Sequence, residues 1–334
     1  MPAEHYHSGS NPDLGFGDLK KMTESEKTSQ KDNLTEISRE ILALKNKHHA
    51  TILAHNYQIP EVQDIADFVG DSLELSRVAS RLDTEVIIFS GVDFMAETAA
   101  ILSPQKKVIL PEKSAWCPMA HMITADQLCD LKRLYPEAAV VCYVNSTAEI
   151  KAESDICCTS ANGLQVANSL SEKQIIFVPD RNLAAYIARH TDKTIIPWDG
   201  YCYVHDRFTA QEVLTARAEH PNAEVLVHPE CRPDVIDLAD FVCSTSGMSR
   251  HAKANAAREF IIGTEAGIVY RQKKENPEKQ FYPLSRNAIC KNMKKTDLTK
   301  VLRALQILQP RVTVPEDIAF RAKKAIERML DVKI

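Results

Sequence analysis

Short apolar runs of three to six residues recur along this chain, each followed by a longer stretch of helical composition. In the first third they are TILAH ending at His55, DFV before Gly70, VIIF ending at Phe89 and KVIL ending at Leu110. The second third has AVVCYV from Ala139, DICC ending at Cys158, IIFV ending at Val178 and TIIP ending at Pro197. The last has EVLVH ending at His228, DFVC ending at Cys243, FII ending at Ile262 and QFYP ending at Pro283. Such runs, separated by segments like SLELSRVASRL and TAQEVLTARAEH, predict buried strands of parallel sheets covered by helices.

Helix starts are marked as well. NLTE from Asn33, TADQ from Thr124 and TAQE from Thr209 each place a capping residue three positions before Glu or Gln. Leu34, Ile37, Ile41 and Leu44 supply the apolar stripe of the first of these helices. From Asp297 onward two helices are predicted, broken near Gln309-Pro310 and Pro315. The spacing of Leu298, Leu302, Leu305 and Leu308 points to packing there rather than chemistry.

The three thirds are copies of one another. His55, Tyr143 and His228 are equivalent, 88 and 85 residues apart. ADFVGDS ending at Ser72 recurs as SDICCTS ending at Ser160 and ADFVCST ending at Thr245, each 17 residues further on. Pro111, Pro197 and Pro283 keep the register at spacings of 86. A threefold repeat predicts an α/β fold of three homologous αβα domains, each a small, about four-stranded parallel sheet flanked by helices, around a pseudo-threefold axis. The expected boundaries are a polar, disordered tail over 1–31, copies over 32–121, 122–207 and 208–295, and C-terminal helices over 296–334.

Composition narrows the chemistry. A net charge of −4 gives no footprint for nucleic acid or an anionic membrane surface, and no apolar run reaches the ~20 residues of a membrane helix. The start of the chain lacks the apolar segment of a secretory signal, and nine cysteines, an odd number, suit a reducing cytoplasm with free thiols.

Three of those cysteines form a complete set. Cys117, Cys202 and Cys290 are 85 and 88 residues apart and follow the three prolines by six, five and seven residues. They are expected on loops at the carboxyl ends of the strands, where parallel sheets bind ligands. Three thiolates without a fourth suit a [4Fe–4S] cluster with one open iron, and also a zinc ion with a water; spacing alone leaves both open. Tyr57, Asn145 and Glu230 lie two residues beyond His55, Tyr143 and His228, on the same side of the chain. Tyr and Glu transfer protons when burial or neighbours move their pKa values toward neutrality, whereas Asn only positions. Ser72, Ser160 and Thr245 each precede a helical segment, and three helix starts aimed at one axis predict a site for a small polyanion.

At these residues the chain resembles a known family. HNYQIPEVQDIADFVGDSLELSR, the YVN of Tyr143 to Asn145, TSAN, HPE and the spaced cysteines are similar to quinolinate synthases from about Leu34 to Met293. The resemblance implies condensation of iminoaspartate with dihydroxyacetone phosphate to quinolinate, with loss of phosphate and water, in NAD biosynthesis. It implies one [4Fe–4S] cluster on Cys117, Cys202 and Cys290, its open iron acting as a Lewis acid. It also implies an acid–base pair of Tyr57 and Glu230, substrate-binding positions at His55, Tyr143, Val144, Asn145, His228 and Pro229, and hydroxyl anchors at Ser72, Ser160 and Thr245. Coupling to an aspartate oxidase is a further expectation. The rivals are a diphthamide-type radical enzyme using S-adenosylmethionine on the same triplicated fold, and a non-catalytic iron–sulfur sensor or zinc scaffold.

Overall fold

The computed structural model describes residues 24–332. Within these, every apolar run named above forms a strand. The first copy holds β1 (Ala50–His55), β2 (Phe68–Gly70), β3 (Val86–Ser90) and β4 (Lys107–Ile109). The second holds β5 (Ala139–Tyr143), β6 (Ile156–Cys158), β7 (Gln174–Val178) and β8 (Thr194–Pro197). The third holds β9 (Glu224–Val227), β10 (Phe241–Val242), β11 (Glu259–Gly263) and β12 (Gln280–Pro283). They form three four-stranded parallel sheets of one topology: β2-β1-β3-β4, β6-β5-β7-β8 and β10-β9-β11-β12. All twelve strands belong to one compact unit beginning at Ile37.

The repeat extends to single hydrogen bonds. An aspartate just before the second strand of each copy accepts the N–H of a residue in the first strand. The bonds run from Ile52 to Asp67 (2.8 Å), Val140 to Asp155 (2.7 Å) and Val225 to Asp240 (2.8 Å). Each aspartate N–H is returned to the carbonyl of the same strand residue, at 2.9, 3.1 and 2.9 Å. An exposed carboxylate fits here because it satisfies the N–H of a buried strand residue where the ladder begins, while its remaining lone pairs face solvent.

Helices start where the sequence signals them, with one correction. Thr124 and Thr209 each form the complete reciprocal cap with Gln127 and Glu212. Asn33 caps nothing: its helix runs Glu24–Lys47, so it lies inside. The stretch from Glu24 has no Gly or Pro and is rich in Glu, Lys, Gln and Ser, so nothing halts the helix short of it, and the tail expected over 1–31 is helical from Glu24. Residues 1–23 of that tail lie outside the described residues. At the other end, helices Leu298–Ile307 and Glu316–Asp331 flank the proline-containing break, with Leu298, Val301 and Leu305 buried. No helix among the described residues is long and apolar enough to cross a membrane.

Removing a cap gives a test of this local reading. Thr209→Ala deprives the Glu212 N–H of its acceptor and is expected to lower stability by about 1 kcal/mol, with unchanged m-value, in urea unfolding.

The copies meet through polar groups as well as apolar ones. Fully buried Lys151 of the second copy donates to the Phe94 carbonyl and Thr98 Oγ1 of the first, at 3.3 and 3.0 Å. First and third copies join through Asn56 Nδ2 to Thr245 Oγ1 (2.8 Å) and Ser244 Oγ to Asp71 Oδ2 (3.0 Å). Second and third join through Asn182 Nδ2 to the Glu230 carbonyl (3.1 Å). Several of these bonds lie just beyond strand ends, so the carboxyl edges of the sheets face one another.

Candidate active site

Each first strand ends on a ligand-grade residue: His55 closes β1, Tyr143 closes β5, and His228 follows Val227 of β9. These three line one cavity together with Tyr57, Asn145 and Glu230, two residues further on in each copy. The same cavity is lined by Cys117, Cys202 and Cys290 and by Ser72, Ser160 and Thr245. Two implied positions are placed elsewhere. Val144 is buried in the apolar core, its N–H donating to the Cys158 carbonyl at 2.9 Å, and Pro229 lines a neighbouring cavity that shares Ser160. Both sit between two cavity-lining residues, where alternation along an extended chain turns the side chain away.

The three hydroxyls are not spent on capping. Asp71 caps the helix Ser72–Arg81 and Ser244 caps Thr245–Ala254, leaving Ser72 and Thr245 as first helical residues. Ser160 lies three residues before the helix Gly163–Ser169 rather than at its start. It faces His228 instead, with Oγ 3.1 Å from Nε2. Among the described residues no Lys or Arg lines the cavity, so an anion held there is met by helix N-termini, hydroxyls and imidazoles.

The proton positions of the two strand-end histidines follow from the backbone. The N–H of Tyr57 donates to His55 Nδ1 (3.1 Å) and that of Glu230 donates to His228 Nδ1 (3.3 Å). Each ring accepts at Nδ1 and so carries its hydrogen on Nε2. Burial lowers the pKa of both to about 3, and the Lys294 charge adds to this at His55, while Glu230 opposes it too weakly at His228. They are neutral donors.

This has a consequence for stability. A histidine that stays neutral in the fold but takes a proton at its ordinary value of 6.5 when unfolded favours unfolding as pH falls. For the cofactor-free protein, stability is expected to be level above pH 6.5 on account of these groups, and to fall from there toward pH 3. His55→Gln is expected to make that fall shallower in thermal unfolding measured across the range; an unchanged slope contradicts the neutral assignment.

At the centre lies Glu230, which is 2 % exposed. Tyr143 donates its hydroxyl to Oε1 at 2.5 Å, and Nδ1 of His205 lies 2.5 Å from Oε2. The second contact is short but off the N–H axis, so it is an ion-pair contact rather than an aligned hydrogen bond. Nε2 of His205 is 2.8 Å from Thr264 Oγ1, which is 2.6 Å from the Tyr57 hydroxyl. With the proton of His205 on Nδ1, toward the carboxylate, one consistent chain runs from Tyr57 through Thr264 and His205 to Glu230.

The pKa shifts of this group run away from neutrality. Burial opposes ionisation of Glu230, but the close contact with His205 and the bond from Tyr143 hold its carboxyl down at about 2. Burial, then the Glu230 charge, pushes the Tyr57 and Tyr143 phenols well above their ordinary range. Glu230 is thus an anion beside two protonated phenols, and after burial its charge is what keeps their protons on.

His205, Thr264 and Asp71 were not singled out from the sequence. His205 is three residues beyond Cys202, but the equivalent positions after Cys117 and Cys290 hold Ala120 and Met293. A search for repeated positions therefore passes over it; a histidine that close to a candidate ligand was the available signal.

The donor set fits a metal–sulfur group. All three cysteines are free, and Cys202 is raised in pKa by burial first and also by the charges of Cys117 and Cys290, which places the three sulfurs in one another's field. The backbone N–H three residues on, of Ala120, His205 and Met293, lies toward each sulfur and lowers its pKa against the larger effect of burial. Burial nonetheless keeps the thiols protonated, so a metal that binds them displaces protons. A tighter group, Cys202, His205 and Glu230, has ligand atoms within 4.8 Å of one another, but its histidine and carboxylate already engage each other.

Comparison with known proteins decides the family. The family model described as quinolinate synthetase A protein matches residues 39–331. The chain belongs to the quinolinate synthetase A family. It is 58 % identical over 299 residues to the quinolinate synthase of Methanoregula boonei, covering 90 % of this chain and 99 % of that one. It is 55 % identical to quinolinate synthase 1 of Methanosarcina acetivorans (90 % and 98 % covered) and 54 % identical to the quinolinate synthase of Dehalococcoides mccartyi (89 % and 98 %). Family membership makes the chain an enzyme.

Proposed function

We propose that this cavity condenses iminoaspartate with dihydroxyacetone phosphate to quinolinate, releasing phosphate and water, with one [4Fe–4S] cluster held by Cys117, Cys202 and Cys290. The observation that carries the reading is the convergence of the three cysteines, the six strand-end residues and the three hydroxyls from three copies on one cavity. When bound, the cluster supplies a Lewis-acid iron with one open position, not a path for electrons.

The chain's own residues do the rest. Ser72, Ser160 and Thr245, with nearby helix-start N–H groups, bind the carboxylate and phosphate oxygens of the substrates. His55 donates from Nε2 toward the substrate, His228 donates to Ser160 and orients that hydroxyl, and Asn145 positions. Tyr57 is the general acid: its phenol holds a proton across the working pH range, and the run through Thr264 and His205 fixes the place of its hydroxyl. Glu230 is the base, its charge maintained by His205 and Tyr143. A buried site excludes the water that hydrolyses an imine.

Iminoaspartate is short-lived in water, so an aspartate oxidase working beside this enzyme is its natural supplier. Free thiols on all nine cysteines suit a cytoplasmic setting.

The test is anaerobic turnover. Protein reconstituted with iron and sulfide, given dihydroxyacetone phosphate and iminoaspartate generated in place, is expected to release quinolinate and phosphate one-to-one. Loaded protein that releases neither product contradicts the reading.

A further inference from the structure

Behind the three cysteines stands a second threefold set. Asp93, Asp180 and Glu265 follow β3, β7 and β11 at spacings of 87 and 85 residues, the same repeat that generates the cysteines. At each of these points the backbone grips the cysteine loop. The N–H of Asp93 donates to the Ala115 carbonyl (2.9 Å), that of Arg181 to Gly200 (2.8 Å) and that of Ala266 to Ala288 (2.8 Å). Every one of those carbonyls lies two residues before a cysteine.

The acidic side chains reach the cysteines themselves. The N–H of Cys117 donates to Asp93 Oδ1 at 3.0 Å, and that of Cys290 to Glu265 Oε1 at 3.1 Å. In the second copy, fully buried Asp180 faces the Cys202 N–H more loosely, and its Oδ2 makes no well-formed bond. There the backbone approach does more: a Cβ on Gly200 would lie 2.4 Å from the Pro179 oxygen, so only glycine passes.

We infer that Asp93, Asp180 and Glu265 are positioning residues that clamp the three cysteine loops to the strand ends and fix the cysteines for the cluster. This rests on the cluster reading given above. Charge is not their contribution, because the carboxylates of Asp93 and Glu265 repel the thiolates of Cys117 and Cys290. What each supplies is an acceptor at a fixed point, which frees the cysteine sulfur to face the cavity while its N–H is held behind. Groups that orient metal ligands in this way typically change metal retention by about 10–100-fold when removed.

Asp93 is the tractable member, since its side chain is 22 % exposed, its first oxygen also accepts the Phe94 N–H at 2.9 Å and its second meets His121 at 2.8 Å. In the full-length chain reconstituted anaerobically, Asp93→Ala is expected to lose iron to a chelator about 10–100-fold faster than wild type. Asp93→Asn keeps an acceptor for the Cys117 N–H and is expected to release iron at close to the wild-type rate. His121→Gln, which breaks the surface contact alone, is expected to match wild type. Thermal unfolding of the cofactor-free variants checks that each is folded; should the alanine chain not fold, Asp93→Leu, of similar shape but without an acceptor, carries the same comparison. Wild-type release from Asp93→Ala, or equally fast release from Asp93→Asn, overturns the clamp while leaving the cluster reading intact. A wild-type chain that takes up no iron overturns both.

Discussion

Cys202→Ala is expected to yield a folded, colourless protein that binds no cluster and makes quinolinate only at background. Cys202 contributes one of three sulfurs to the cavity, and among the described residues no other cysteine lines it. Cys142, Cys157 and Cys158 lie in the buried strands β5 and β6, and Cys231 donates to the Gly263 carbonyl, so none is placed to substitute. The change removes one sulfur atom from a half-buried position. Cys129→Ala is the matched control: that half-buried thiol sits against Glu153, outside the cavity, and its loss is expected to leave colour and turnover intact. Iron and sulfide analysis alongside the quinolinate assay reads both variants. A colourless Cys202→Ala protein that turns over normally would show that the metal site is structural.

The second large effect separates proton handling from metal binding. Glu230→Gln keeps the shape and keeps an acceptor for the Tyr143 hydroxyl, but the amide presents N–H to Nδ1 of His205, where a carboxylate oxygen now lies at 2.5 Å. Two donors then oppose each other. The ring relieves this by moving its proton to Nε2, which turns the bond with Thr264 around and reverses the run from Tyr57. Loss of the base and reversal of this run together are expected to lower kcat by about 10²–10⁴-fold. Iron content is expected to match wild type, since no cysteine or clamping group is touched. Normal turnover in the variant would remove Glu230 from the chemistry, and loss of iron would make it a ligand instead.

Much of this was legible because the chain says it three times. Where a feature recurs, as with His55, Tyr143 and His228 or the three cysteines, divergence elsewhere acts as a filter and leaves the positions held by one cavity. The strands were legible for a simpler reason: buried parallel strands tolerate only apolar runs, and short ones. What escaped is what the copies do not share. His205 and Thr264 organise Glu230 and Tyr57, yet they occur once, where a repeat reveals nothing. The directions of the Glu230 and Tyr57 shifts escaped too, because Glu230 is held down by His205 and Tyr143 of another copy while burial and the Glu230 charge raise Tyr57, and spacing along a chain carries no information about that field. Asn33 failed for a local reason: its capping pattern was present, but the residues before it were also good helix formers.

The central claim is that three repeats gather three sulfurs to hold a cluster and leave one iron for the substrate. Mössbauer spectroscopy of the anaerobic, iron-loaded enzyme, with and without bound substrate analogue, tests it most directly. The expected spectrum has one iron site whose parameters move on binding while the other three stay in place. A single equivalent set that ignores the analogue, or a protein that accepts zinc but assembles no iron–sulfur signal, would contradict the account.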